Sequence, residues 1–469
     1  MLTISIDTKK KQPIYEQIYI FIRQEIRAGA LVPGSRLPSS RKLAAHLDVS
    51  RNTVDLAYGQ LLSEGYIESK PKRGYFVSSL DELFELNLEV REEVAEEIEE
   101  EIRYPYDFSP SGVDMGMFPY NTWRKLMKEV LMDDNSEVFQ KGDPKGDLSL
   151  RSAVRDYLHQ SRGVNCHTSQ IIIGSGMEYL LLLLAMILGK TMPVGMENPT
   201  YLQSYKVFEK LGYPVTAISM DEGGIVVDEL DKSGAELAYV TPAHQYPTGI
   251  IMPVRRRHAL LKWAKEMDGR YILEDDYDSE FRYQGKPIPS LQGSDHHGKV
   301  IYMGTFSKAI APAIRVSYMV LPKKLLSIYE EQLSFFSCTV SRIDQMVLGN
   351  FLKEGHFERH LNRMRAIYKA KVTSLLGELK LFGDDVIISG ASAGLHVLIT
   401  LPKLSRFELF LEMLLKRGVR IYPISGYYIE GTPDKEHFIL GFARLSDAQI
   451  REGIQIMKEV YDEILNESK

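Results

Sequence analysis

In "GTFSKAIAPAIR", Lys308 follows the hydroxyl residues Thr305 and Ser307 and stands seven residues before Arg315. A lysine amine is the side chain here that condenses with a carbonyl group, and it does so from a setting where it is partly deprotonated. An arginine a short turn further on is suited to a phosphate. Upstream, "YILEDDYDSEF" ends an apolar run with a cluster of acids and Tyr277. Such carboxylates could bind a metal, but no histidine or cysteine accompanies them at ligand spacing, so no metal is expected. Asp275 could instead pair with a protonated ring nitrogen. In "IIIGSGMEYLLLLL" the backbone amides of Ser175, Gly176 and Met177 open a helix and would form an anion site.

These groups need a scaffold, and the chain from Tyr104 onward supplies it. Apolar β-rich pieces ("QIIIGSG", "MPVGMENPTY", "PVTAISM", "LAYVTPAHQ", "YILEDDYD", "VIYMGTFSK", "VSYMVLP") alternate with helical ones. That alternation predicts an α/β fold with a mostly parallel sheet. Each chemically interesting residue falls just after a strand, where such folds bind ligands.

The first 77 residues read differently. Ile14, Ile18, Ile22 and Ile26 form a helical stripe that Pro13 can start. A short helix begins near Ser39 or Ser40, and a third follows Ser50 as N-cap, with Val54, Ala57, Leu61 and Leu62 facing inward. Two β-prone pieces then flank Lys72, Arg73 and Gly74. Three helices and a basic wing predict a winged helix-turn-helix that docks its third helix in the major groove of DNA.

Charge follows the same division. Residues 1–77 hold 12 Lys+Arg against 7 Asp+Glu, about +5, whereas 81–101 hold 11 acids and one arginine, about −10. Only the head suits a polyanion. In the acidic connector, 78–104, Leu86, Val90, Val94, Ile98 and Ile102 recur at four-residue intervals and predict a helix, either a solvated spacer or one docked on the body. At 469 residues and 44% hydrophobic composition, two or three domains are expected. Two distant cysteines, Cys166 and Cys338, predict no disulfide and a reducing, cytoplasmic setting. "YLLLLLAMIL" is half of the roughly 20 residues a bilayer span needs and reads as a buried helix, so no membrane association is expected.

The head resembles the GntR family of bacterial transcription regulators through "LPSSRKLA", "VSRNTVDLAYGQLLSEGYI" and "RGYFV". That resemblance implies that Arg41, Arg51 and Thr53 approach bases or phosphates, with Lys72, Arg73 and Gly74 in the minor groove. The body, 105–469, resembles fold-type I pyridoxal 5′-phosphate enzymes of the aminotransferase superfamily, with a small C-terminal α+β subdomain. By resemblance, Lys308 forms the Schiff base with the cofactor, Asp275 meets the pyridine nitrogen and Tyr277 the ring hydroxyl. Thr305, Ser307 and Arg315 hold the phosphate with the Ser175, Gly176 and Met177 turn, and Tyr201 stacks on the ring. Arg444 in "LGFARLS" takes an effector carboxylate, and Gln203 and Tyr246 are further expected effector contacts.

The chain departs from that superfamily at "HQYPTG", where Tyr246 replaces an asparagine that usually touches the ring hydroxyl. Ala313 and Ser317 replace glycines around Arg315, and Met177 replaces a small or polar residue. Head and body together are similar to the MocR subfamily, including its GABA-responsive member in "EDDYDSEF", "VIYMGTFSK", "SYMVLP", "AGLH" and "GFARL". That layout implies a homodimer that binds promoter DNA and responds to the cofactor and an amine or amino acid, controlling amino-acid or vitamin B6 metabolism genes. Gln203 stands where the GABA-responsive member has an arginine, which argues for another effector. A working aminotransferase carrying a DNA-binding head is the alternative.

Overall fold

The structure is a computed structural model describing residues 4, 6, 12–79, 103–132, 136–189, 191–283, 285, 288–433 and 435–467. The connector helix expected over 78–104 lies almost wholly outside the described residues. Contacts divide the chain into two compact units, 1–100 and 101–469.

The first unit holds helices α1 (Ile14–Arg27), α2 (Ser40–Leu47) and α3 (Arg51–Ser63), then strands β1 (Ile67–Lys70) and β2 (Gly74–Val77) paired antiparallel. Ile18, Ile22 and Ile26 of the isoleucine stripe are buried against Val54, Ala57 and Leu61, while Ile14 and Leu62 stay partly exposed. Both helix starts are set by serine oxygens: Ser39 accepts from the Lys42 amide at 3.3 Å and Ser50 from the Thr53 amide at 3.1 Å. Each satisfies a donor that a helix start leaves unpaired. Asp48, in left-handed backbone at φ 51°, ends α2 and makes the turn into α3. Tyr58 of α3 donates to the Pro38 carbonyl just before α2 at 2.9 Å, tying the two helices together.

The second unit is built on an eight-stranded sheet. Its order is Ile171–Gly174, Ser317–Val320, Val300–Thr305, Tyr271–Asp276, Leu237–Val240, Val194–Asn198, Val215–Asp221 and Gly224–Ile225. The five strands from Val300–Thr305 to Val215–Asp221 are parallel, and Ser317–Val320 runs against both its neighbours. Strands such as Leu237–Val240 and Tyr271–Asp276 are buried at every position, as helices on both faces require. The helix Met177–Leu188 buries most of its leucines, but it is not buried all round: Leu182 and Met186 are exposed along one edge.

A smaller antiparallel sheet, Ile387–Ser389, His396–Thr400, His437–Gly441 and Tyr422–Pro423, forms the C-terminal α+β part with helices His356–Leu379, Phe407–Lys416 and Asp447–Glu467. No helix among the described residues is long and apolar enough to cross a membrane.

Candidate functional site

A cavity of about 140 Å³ opens at the carboxyl ends of the parallel strands. Of the body residues singled out from sequence, Gly176, Met177, Tyr201, Tyr246, Asp275, Tyr277, Thr305, Ser307, Lys308 and Arg315 line it. Ser111, Glu178, Thr241 and Ser317 also line it and were not anticipated as contacts. They come from four separate stretches that only the fold brings together.

Strand alternation decides which acid of "LEDDYD" works here. Glu274 and Asp276 point away from Asp275. Glu274 accepts the amides of Leu291 and Gln292 at 2.8 Å each, and Asp276 pairs with buried Arg162 at 2.7 Å. Asp275 lines the cavity, where its Oδ2 accepts the Tyr239 hydroxyl and its buried Oδ1 has no partner among the described residues. Burial pushes the Asp275 carboxyl up to about 7.

Lys308 leaves the end of the Val300–Thr305 strand and donates from Nζ to the Pro110 carbonyl at 3.1 Å. Its nitrogen lies 5.4 Å from the ring centre of Tyr277 and 6.0 Å from that of Tyr246. Burial lowers its pKa, against the opposing pull of Asp278 and Asp275. A lysine so placed is a better nucleophile than one in water.

The anion end is narrower than sequence suggested. The Ser175 amide donates to Thr339 Oγ1 at 2.9 Å and Gly176 N–H to the Gly174 carbonyl at 3.0 Å, so two of the three amides of the expected cradle are engaged within the protein. Ser175 does not line the cavity, and the helix start at Met177 remains as the amide donor. Gly176 sits at φ +102°, and a Cβ there would fall 2.3 Å from Arg315 Nη2. The guanidinium therefore rests directly on this glycine, and its Nη2 also donates to Glu178 Oε2 at 2.8 Å. Thr305 Oγ1 accepts from Ser317 Oγ at 2.9 Å and from the Ser307 amide at 3.2 Å. These contacts fix both hydroxyls beside the arginine.

Tyr246 is buried, with Tyr201, Tyr277 and Tyr427 edge-on at 5.4–5.5 Å. Gln245 pins its loop by donating to the carbonyls of Pro199 and Tyr246 at 2.9 and 2.8 Å. Two expected effector contacts lie elsewhere. Gln203 is exposed on the helix Leu202–Lys210 and does not line the cavity. Arg444 is also outside the lining, with a side chain 63% exposed and 4.0 Å from Asp107. Its Cβ abuts Gly112, next to Ser111 of the wall.

In the head, Arg41 and Arg51 are exposed, and Arg51 pairs with Asp55 at 3.3 Å. The Thr53 hydroxyl lies 2.8 Å from Ser50 Oγ, so it serves the helix cap. Lys72 and Arg73 are exposed at the wing tip, with Lys72 at φ 59° and Gly74 at φ 104°. Arg36 was not anticipated; it is exposed and its guanidinium lies beside Gly74.

Two family profiles match the chain: bacterial regulatory proteins of the gntR family over residues 14–77, and aminotransferase class I and II over 112–457. It is 39% identical over 467 residues to the uncharacterized HTH-type transcriptional regulator YhdI of Bacillus subtilis, covering 99% of each chain. It is 31% identical over 472 residues to the probable rhizopine catabolism regulatory protein MocR of Rhizobium meliloti, covering 97% and 95%. The chain belongs to the MocR-type subfamily of GntR regulators.

As a MocR-type regulator it joins a DNA-binding head to an aminotransferase-like body that takes pyridoxal phosphate. The body superposes on the kynurenine aminotransferase of Pyrococcus horikoshii with a TM-score of 0.68 at 27% identity, over 77% of this chain and 91% of that one. The side chains of this regulator fit the cofactor. The unpartnered Oδ1 of Asp275 is an acceptor for a ring N–H, Lys308 is an amine for an aldehyde, and Arg315 with the 177 helix start can hold a phosphate. Among the described residues no group of His, Cys, Asp or Glu is arranged for a metal.

Proposed function

We propose that the body is a receptor for a small amine or amino acid, and that its state governs how the head of a homodimer engages promoter DNA. The observation that carries this reading is one cavity holding an amine of lowered pKa, a buried carboxylate oxygen awaiting a donor and a guanidinium. When bound, pyridoxal phosphate supplies an aldehyde on an electron-withdrawing ring, which exchanges one amine for another. This chain's residues do the rest. Arg315, Thr305, Ser307 and the helix start at Met177 hold the phosphate end. Asp275 keeps a proton on the ring nitrogen, and Tyr277 serves the ring oxygen. Tyr201 and Tyr246 close the faces and exclude water. Arg444 is assigned to an effector carboxylate only in a conformation that brings it inward. Gln203, exposed on its helix, is no longer favoured as a contact.

In the head, Arg51 and Arg41 are assigned to the DNA major groove and its phosphates, with Lys72 and Arg73 at the wing. The test is DNA binding by the full chain, with pyridoxal phosphate and a panel of amines, for wild type and Lys308→Ala. A ligand response seen in wild type and lost in Lys308→Ala is expected; an identical response in both refutes the reading.

Retention of Lys308, Asp275 and Arg315 in one cavity also favours a second reading, a working aminotransferase. Sustained turnover of an amino acid with a 2-oxo acid at about 1 s⁻¹ or faster supports that reading. A single half-reaction does not.

A further inference from the structure

His244 is 2% exposed, and its Nδ1 meets three oxygens: both carboxylate oxygens of Asp278 at 3.2 Å and the Tyr277 hydroxyl at 2.9 Å. An imidazole nitrogen offers either one hydrogen or one lone pair. A lone pair on Nδ1 would face the Asp278 carboxylate. It would also leave the ring hydrogen on Nε2, which is buried with no partner among the described residues. A hydrogen on Nδ1 turns a donor to the carboxylate, and in the neutral ring it also leaves no hydrogen stranded on Nε2. The Tyr277 oxygen then accepts from His244, and its own hydrogen must be donated elsewhere. Tyr277 lines the cavity, and burial beside Asp278 holds its phenol well above the usual pKa, so that hydrogen is present.

The surroundings are shaped for this pair. Gly394, at φ +74°, would carry a Cβ 2.1 Å from His244 Cε1 and 2.7 Å from Asp278 Oδ2. Gly249, at φ +72°, would place one 3.3 Å from Nε2. Behind the pair, His396 donates from Nε2 to the Pro247 carbonyl at 2.9 Å, and burial drives its pKa down to about 3, so it adds no charge. Asp275 and Lys308 line the same cavity as Tyr277, and Tyr246 packs edge-on against its ring.

We infer that His244, anchored by Asp278, is a positioning residue that makes Tyr277 a hydrogen-bond donor into the cavity and thereby sets the proton affinity of the lysine-linked cofactor. The inference rests on the proposed role of Tyr277 at the ring oxygen. The experiment is a pH titration of the visible absorption of the full chain loaded with pyridoxal phosphate. Tyr277→Phe removes the donor and should raise the midpoint by about one unit, a tenfold change in proton binding. His244→Leu should raise it comparably, His244→Asn, which restores an N–H near Nδ1, should recover most of it, and His244→Leu with Tyr277→Phe should shift no further than Tyr277→Phe alone. A shift in Tyr277→Phe with none in His244→Leu, or additive shifts in the double variant, overturns the inference. No shift in Tyr277→Phe overturns the reading of Tyr277 beneath it. Should His244→Leu fail to fold, Asp278→Asn takes its place, and a wild-type midpoint there rejects the inference equally.

Discussion

Asp275→Asn tests the buried carboxylate directly, through stability of the cofactor-free protein. Burial raises this carboxyl from 3.8 to about 7. Above its ordinary value the unfolded chain has released a proton that the folded chain keeps, so stability falls as pH rises, until the folded carboxyl also ionises near 7. Over the full window of about three units this amounts to about 4 kcal/mol, and between pH 5 and pH 8 to about 3 kcal/mol, at 1.36 kcal/mol per unit. Glu197, Glu274 and Glu280 are also raised to about 7 by burial, so the wild-type slope contains them too. The difference between wild type and Asp275→Asn isolates Asp275. Asparagine keeps the shape and can still accept from Tyr239. The two tryptophans, Trp123 and Trp263, both lie in the body, so urea unfolding followed by their fluorescence reports that unit alone. Asp275→Asn should gain on wild type by about 3 kcal/mol between pH 5 and pH 8. Loading wild type with pyridoxal phosphate should flatten its slope, because a ring N–H is the partner that Oδ1 lacks. Parallel stability curves for the two proteins across this window would refute the assignment.

Arg315→Ala should weaken pyridoxal phosphate binding about tenfold to a hundredfold in an equilibrium titration, the range for losing charge-assisted hydrogen bonds. Arg162→Met strips Asp276 of its buried cation, leaving it only the Tyr302 hydroxyl among the described residues, and should cost about 3–5 kcal/mol in urea unfolding. In the head, Ser50→Ala should cost about 1 kcal/mol of stability by uncapping α3. Arg51→Ala, read as DNA affinity against salt concentration, should reduce the slope by about one.

The head was legible because its elements are short, local and punctuated. Ser39 and Ser50 cap the helices expected of them, and the strands flank the basic tip. The body's strands were legible as apolar runs, and Asp275 as one of several acids at a strand end. The two-residue period of a strand could have separated Asp275 from Glu274 and Asp276. Contacts made across long stretches of chain were not legible. The Ser175 amide is taken by Thr339, 164 residues away, and nothing near "GSGM" signals it. Glu178 stands in the quoted motif, yet its pairing with Arg315 depends on the first turn of the Met177–Leu188 helix meeting a turn 137 residues away. His244 stood in "HQYPTG" as a bystander until the fold brought Asp278 and Tyr277 to one of its nitrogens.

The bond from Lys308 to Pro110 ties the reactive amine to the stretch by which the polypeptide enters the body from the head side of the sequence. That stretch is held at its sides: Tyr106 pairs with Val419, and Gly441 donates to the Phe108 carbonyl at 2.8 Å. Pro110 and Ser111 then form a turn at the cavity wall, closed by the Gly112 amide donating to the Ser109 carbonyl at 3.2 Å. A Lys308 nitrogen engaged elsewhere leaves the Pro110 carbonyl without its donor. The amine is in this sense a latch on the chain's own threshold.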